Sequence, residues 1–371
     1  MGEILNLWLV PQLGDRASES GPSLSIIVPA RNEEGSVEAA VRRFLSQTYQ
    51  DVEVVVVDDR STDRTRGILR RLERESPNLA VVDGREPPAG WLGKPWAVQQ
   101  GIEASSGDLL LLCDADVIYE PTVVASLVAR LETDEAGAVS LLPAFEVEGF
   151  WEATLMPMLP FAFLTILPAW LANRTRIPLL GVGGGPGTLV SREAWKCVGG
   201  HEALRQAVVD DISLVRRIRA AGYRTTAVRA RDLVSIRMYR GLREIVEGFT
   251  KNAYFALGGS LFRVLFVLTA AFVVHIGPYL LALSGLVSWS IGSQVSAVEA
   301  AGIGTVVVIT MVRVILFLDL GYHLGHAIFG HPIMMAGWIV IGLRSTWRVG
   351  IRRRLEWRGR RYDSKGTTFG D

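Results

Sequence analysis

The chain of 371 residues has room for one large catalytic domain plus an appendage, or for two ordinary domains. Charged residues make up 21% and the net charge is only +1, which gives no support to a nucleic-acid partner or to a disordered acidic chain. The near-neutral sum hides an asymmetry: eight arginines and one acid, Glu356, lie between Arg344 and Arg361, directly after an apolar region, where a positive-inside signal sits.

Cys113 and Cys197 are far apart and have no metal-ligand spacing, so reduced, buried thiols are expected. The N-terminal segment, residues 1–22, lacks the basic patch, apolar core and small-residue cleavage site of a secretory signal, which places the following domain in the cytoplasm.

From Ser25 to Leu142, short runs of Val, Ile and Leu alternate with helical stretches, the pattern of a parallel sheet covered by helices. Strands are expected at Ser25–Pro29, Val52–Val57, Leu79–Val82, Asp108–Cys113 and Ala138–Leu142. The helices expected between them are Glu34–Ser46, Asp63–Glu75, Pro95–Ala104 and Pro121–Leu131. Such a sheet binds ligands beyond the carboxyl ends of its strands. Residues 153–172 carry no formal charge but contain Pro157, Pro160 and Pro168, and read as a segment at the membrane interface. A glycine-rich stretch, Gly181–Gly187, precedes a strand at Thr188–Ser191 and a helix at Asp211–Ala221.

Leu242, Ile245, Val246 and Phe249 recur at helical spacing, so residues 237–260 are expected to hold an amphipathic helix, lying on lipid or packed on the domain. Within 261–343, Val264–Val287 is the strongest transmembrane candidate. Ala300–Leu318 is interrupted by Arg313, and Leu320–Leu343 is softened by His323, His326, His331 and Pro332. Three crossings would carry the basic 344–371 tail outside, so two crossings plus a re-entrant or in-plane third segment are favoured, with that tail cytoplasmic. The histidines read as interfacial or helix-packing residues, since no acid follows Asp319 closely enough for a zinc motif. Trp151, Trp170, Trp289, Trp338 and Trp347 flank apolar stretches, as interface anchors do.

Four constellations carry chemistry. The run Val54–Val57 ends in Asp58 and Asp59, whose carboxylates can accept hydrogen bonds from a base or ribose, whereas Thr62 or Asp63 can equally cap the next helix. The run Leu109–Leu112 leads through Cys113 to Asp114 and Asp116. Alternation along an extended chain would turn those two carboxylates to one side, where they can share Mg²⁺ or Mn²⁺. Lys94, in Gly90-Trp-Leu-Gly-Lys-Pro-Trp-Ala97, stands near a helix N-terminus and suits a phosphate, though the spacing is not that of a Walker loop. Asp210 and Asp211 open a helix, as caps or as a base for an incoming hydroxyl.

Together, Ser-Ile-Ile-Val-Pro-Ala-Arg-Asn-Glu-Glu at 25–34, Asp58-Asp-Arg-Ser-Thr-Asp63, Gly93-Lys-Pro-Trp-Ala97, Asp114-Ala-Asp116 and Asp210-Asp211 resemble a family 2 glycosyltransferase over residues 23–260. The resemblance implies a GT-A fold over 23–236: an α/β, Rossmann-like mixed sheet with flanking helices, followed here by transmembrane helices. It implies a nucleotide-diphosphate sugar donor, such as UDP-glucose, bound by Pro29, Arg31, Glu33, Asp58, Asp59, Lys94, Asp114 and Asp210. It also implies Mg²⁺ or Mn²⁺ on Asp116 with Asp114, and Asp211 as the base of an inverting hexose transfer. Asp116 and Asp211 must face one substrate, so residues 153–172 cannot be a single crossing.

The Gln/Arg-x-x-Arg-Trp motif of processive members and ceramide glucosyltransferases is missing after Asp211. Arg237-Met-Tyr-Arg240, Glu247-Gly-Phe-Thr-Lys-Asn252 and Trp357-Arg-Gly-Arg360 are similar instead to the carotenoid branch, the chlorobactene and diaponeurosporenoate glycosyltransferases. Lys251 or Arg237 then becomes the candidate to hold diphosphate. The expected partners are the donor, a membrane, and a lipid or carotenoid acceptor. The enzyme is expected at the cell membrane with its catalytic domain cytoplasmic. A polyprenyl phosphate, hopanoid or glycerolipid acceptor is the alternative, and a non-catalytic scaffold retaining the fold is the alternative of another class.

Overall fold

The computed structural model describes residues 2–14, 16–165, 168–357 and 360–363, so Arg358 and Gly359 of the late basic motif lie outside the described residues. The chain divides into two compact units, one formed by residues up to 146 with 168–238, the other by 147–165 with 239–363.

The first unit is built on a seven-stranded sheet. Its strands in chain order are β1 (Leu24–Ala30), β2 (Val52–Asp58), β3 (Leu79–Asp83), β4 (Leu109–Leu112), β6 (Ala138–Leu142), β8 (Thr188–Ser191) and β9 (Thr225–Arg229), arranged β3-β2-β1-β4-β8-β6-β9. A second, three-stranded sheet joins β5 (Val117–Tyr119), β10 (Val234–Ile236) and β7 (Ala144–Phe145). Val54 to Val57 are wholly buried, as a strand covered on both faces requires. The expectation of a purely parallel succession needs one correction: β8 runs antiparallel between β4 and β6. The sheet is therefore mixed.

Helices at Val37–Leu45, Thr65–Glu75, Gly93–Glu103, Val123–Thr133 and Asp210–Ala220 accompany the sheet. The first begins three residues later than expected, and before it the Glu33 and Glu34 amides donate to Thr65 Oγ1 and Asp63 Oδ2. Helix Gly93–Glu103 approaches the sheet so closely that a Cβ on Gly101 would stand 2.7 Å from the Ile27 side chain. Ile27, Val55, Leu110, Val190, Val98, Ile102, Leu214 and Ile218 form one core between strands and helices. The edge of β9 is covered by the N-terminal segment: the Leu13 amide donates to the Arg229 carbonyl at 2.7 Å and the Arg229 amide to that of Pro11 at 2.9 Å.

The second unit is helical. Residues 153–172, expected as one interfacial segment, are divided. Helices Gly149–Leu155 and Met158–Thr165 belong here and Ala169–Ala172 to the first unit, with breaks near Pro157 and Pro168. The amphipathic stretch is helix Gly241–Ala256. Its first amide, on Gly241, donates to Glu152, buried on helix Gly149–Leu155.

Among the described residues two stretches are long and apolar enough to cross a membrane, Leu261–Ser290 and Ala297–Leu320. The former bends at Ile276, just before Pro278. The third apolar stretch is broken into Leu324–Phe329 and His331–Ser345. Arg313, the charge interrupting the second stretch, is fully buried and donates to the carbonyls of His326 and Ala327 at 2.9 and 3.0 Å. These carbonyls belong to the last turn of helix Leu324–Phe329, where that of His326 also accepts from the Gly330 amide at 3.1 Å and Arg313 supplies further donors.

His331 is buried beside Arg313 and His275, and His326 meets Thr154 Oγ1 at 3.0 Å, the helix-packing reading of the histidines. Trp338 departs from the anchor expectation: its indole donates to the Leu155 carbonyl at 3.1 Å and packs on Phe249. Trp151, Trp289 and Trp347 are exposed. Cys113 is buried as expected, but Cys197 is exposed.

Candidate active site

The strand ends of the first unit gather most of the predicted residues into two neighbouring groups. Asp114 follows β4 as the chain leaves the large sheet, and its amide donates to the Gly185 carbonyl at 2.8 Å. Lys94, on the first turn of helix Gly93–Glu103, places Nζ 2.9 Å from Asp114 Oδ1 and 3.7 Å from Asp210 Oδ1. Asp210 and Asp211 open their helix against the same cleft, which Pro29 also lines.

One ammonium faces three carboxylates here. Burial alone would lower the Lys94 pKa, but Asp114, Asp210 and Asp211 outweigh it and hold the ammonium well above its usual range. Burial pushes the Asp211 carboxyl up to about 6; Lys94 opposes this, and Asp210 and Asp114 add to it. Asp210 is raised for the same first reason, burial.

The glycine-rich stretch, for which no role was expected, is the wall of this cleft. A Cβ on Gly183 would come within 2.5 Å of the Asp211 carbonyl oxygen, and one on Gly185 would overlap the Asp114 carboxylate. Below the wall, the buried Tyr119 hydroxyl donates to the Pro186 carbonyl at 2.6 Å.

His201 is the site residue the sequence reading missed. It lines the cleft, is 1% exposed, and its Nδ1 accepts from the Trp195 indole at 2.9 Å. An indole N–H only donates, so the ring proton sits on Nε2, 4.0 Å from Asp210 Oδ2. Burial, with Lys94 adding, lowers the histidine to about 3 and keeps the ring neutral. One signal was available: it is the only histidine before His275, and it follows two glycines, Gly199 and Gly200, with left-handed φ of 84° and 58°.

Asp116 stands two residues beyond Asp114, but not on an extended strand: β4 ends at Leu112 and residues 115–116 form a turn. Exposure still alternates, with Cys113 and Ala115 buried and both aspartates partly open. Burial, with Asp114 and Asp116 contributing, raises the Cys113 thiol well above its usual range, so it is no nucleophile.

The second group lies where β1 and β2 end. Asp58 and Asp59 are buried, and Asp58 Oδ1 accepts from the Ser61 amide at 3.1 Å. The Arg31 guanidinium donates to the Asp59 and Arg60 carbonyls at 2.6 and 3.2 Å, which braces this turn. Glu33 is tied to Thr65 through its amide and to the Ser36 hydroxyl through its carboxylate. Asp63 Oδ1 accepts from the Thr65 amide at 3.0 Å, one residue before the N-cap, which is Arg64. Gly84, at the end of β3, is needed because a Cβ would meet the Asp58 carbonyl at 2.8 Å. Arg237 follows β10 in the first unit, and Lys251 lies on helix Gly241–Ala256 in the second.

Residues 25–199 match the family model described as "Glycosyl transferase family 2". This chain is a glycosyltransferase. The matched segment ends before Asp210 and Asp211, but likeness to whole relatives extends further. Two 4,4'-diaponeurosporenoate glycosyltransferases, from Staphylococcus aureus strains MRSA252 and bovine RF122 / ET3-1, are each 25% identical over 353 residues, covering 92% of this chain and 88% of theirs. A mannosyltransferase of Pyrobaculum calidifontis, solved with GDP-Man and Mn²⁺, superposes with a TM-score of 0.54 at 18% identity, covering 93% of each chain. The mixed sheet with flanking helices is the GT-A fold, and the resemblance to the carotenoid branch of family 2 extends along nearly the whole glycosyltransferase.

Proposed function

We propose that this glycosyltransferase moves one hexose, with inversion, from a nucleotide-diphosphate sugar to a membrane-embedded lipid or carotenoid, with UDP-glucose the first donor to test. The observation that carries the reading is Lys94 set among Asp114, Asp210 and Asp211 at the strand ends. In this role the β1–β2 group, with Asp58, Asp59, Arg31 and Glu33, holds base and ribose, and Lys94 and Asp114 meet the diphosphate end.

A carboxyl raised to about 6 is ionised at neutral pH, yet basic enough to take a proton in the transition state. Asp211 takes the acceptor's hydroxyl proton as that oxygen bonds to the anomeric carbon and the carbon–diphosphate bond breaks, leaving the nucleoside diphosphate. Lys94 balances charge growing on the departing group.

The donor set fits a hard divalent ion. Among the described residues no group of three His, Cys, Asp or Glu side chains is placed to hold a metal ion, so Asp116 and Asp114 would be its protein ligands, the partial coordination Mg²⁺ accepts when phosphates and water complete it. Such an ion would supply Lewis-acid stabilisation of the leaving diphosphate. Support for a carotenoid acceptor comes from the named Staphylococcus relatives, and support for a membrane from the two long apolar helices. The test is incubation with nucleotide sugars, a divalent metal and lipid or carotenoid extracts. A glycosylated lipid is expected. Folded protein that neither transfers nor hydrolyses any nucleotide sugar would overturn the reading.

A further inference from the structure

We propose that the first unit carries its own bilayer-contact face, made by Trp8 and the turn at 174–179, which rests in the headgroup region of an anionic leaflet. Trp8 is 84% exposed, Leu179 69% and Ile177 48%. The helix bearing Trp8, Gly2–Leu9, is docked: its buried Asn6 accepts from the Trp170 amide at 2.9 Å. The turn is fixed as firmly. Arg219, 2% exposed, donates to the carbonyls of Ala172, Thr175 and Ile177 at 3.1, 2.7 and 2.8 Å. Asn173 pairs in both directions with the backbone of Ala227 on edge strand β9.

Aliphatic side chains held outward by a rigid turn expose hydrocarbon that folding alone would have buried. The rim is cationic: Arg174 and Arg176 are exposed, and no acid occurs from Trp170 to Leu180. A tryptophan and aliphatic tips framed by arginines match the chemistry of an anionic membrane surface.

The face is continuous with the cleft. Past Leu179 the chain packs Gly181 against Arg216, Gly183 against the Asp211 carbonyl and Gly185 against Asp114. Helix Asp210–Ala220 carries Asp211 in its first turn and Arg219 in its last, about 12 Å further along. A leaflet at Ile177 and Leu179 would therefore deliver an apolar acceptor to the mouth of the cleft, a consequence that rests on the function proposed above.

The test uses the full chain, with Cys197→Ser removing the exposed thiol, in phosphatidylcholine–phosphatidylglycerol vesicles. Nitroxides are attached through Trp8→Cys, Leu179→Cys or, as an exposed control, Arg74→Cys. At positions 8 and 179 the ratio of oxygen to nickel-complex accessibility is expected to exceed the control severalfold, and Arg174→Glu with Arg176→Glu is expected to abolish the excess. Control-like ratios at both positions would overturn the proposal. Shielding from both reagents, meaning a second copy or another protein covers the face, would overturn it too. Ile177→Glu with Leu179→Glu should cut transfer to a bilayer acceptor about tenfold and leave donor hydrolysis unchanged. If the parent protein transfers no sugar, the functional reading fails while the label ratios still decide this one.

Discussion

The two units solve opposite burial problems. The first encloses charge: Asp58 and Asp59 are buried at the end of β2 and Asp210 at the start of its helix, with the Ser61 amide on Asp58 and Lys94 beside Asp210. The second displays hydrocarbon: Phe262, Phe266 and Trp289 are about two-thirds exposed or more, while the buried guanidinium of Arg313 is spent on helix-end carbonyls. Mutually repelling carboxylates in one unit and a fully partnered guanidinium in the other separate the site proposed to do chemistry from a charge that holds structure. The lesson is that a buried ionisable group reports function only after its partners are counted.

The contrast can be broken by substitution. Asp211→Asn, which keeps shape and removes the base, is expected to lower kcat about 10³-fold with donor affinity little changed, as single-turnover rates and calorimetry would show. An unchanged kcat would reassign Asp211 to a capping role. Arg313→Met, by contrast, should destabilise the protein by about 2 kcal/mol, since the Ala327 carbonyl loses its guanidinium donor while that of His326 keeps only the Gly330 amide. Its melting temperature in detergent should fall while kcat per folded molecule holds.

Lys94→Ala is expected to weaken nucleotide-sugar binding about tenfold or more, since a charge-assisted contact to diphosphate is lost. The same substitution leaves three carboxylates facing one another, so apparent donor affinity should fall further as pH rises.

The smallest effect concerns pH. Asp211, raised to about 6 beside Lys94, Asp210, Asp114 and neutral His201, must be ionised to act, so kcat/KM should climb tenfold per pH unit below about 6 and level above it. Stability runs the other way. A carboxyl whose folded pKa lies above its unfolded value stabilises the fold at low pH and loses that contribution as pH rises from about 4 through about 6. Asp211→Asn should therefore melt higher than the parent at pH 7.5, with the gap closing by pH 4.5.

Much of the first unit was legible because its strands are uninterrupted Val, Ile and Leu runs that end abruptly in acids, and a buried parallel strand has few other ways to be written. Ala138–Leu142 and Thr188–Ser191 fall where their residues place them. That β8 inserts antiparallel between β4 and β6 was not legible, since four residues carry no information about their neighbours. Asp116 was assigned to an extended chain by carrying period two past the end of β4, where the backbone turns instead. The Gly181–Gly187 wall escaped because a glycine's role is visible only in what a Cβ would strike. His201 escaped because a single histidine has no spacing to read, and its tautomer depends on Trp195. Arg313 was read as a flaw in an apolar stretch, although its partners lie 13 and 14 residues further along.

A single inverting displacement is the reaction proposed for Lys94 and the surrounding aspartates. The most direct measurement is the anomeric configuration of the product by proton NMR, with nucleoside diphosphate release followed in the same sample. From an α-linked donor, a β-linked glycoside formed in equal amount to the diphosphate released is expected. An α-linked product would contradict it.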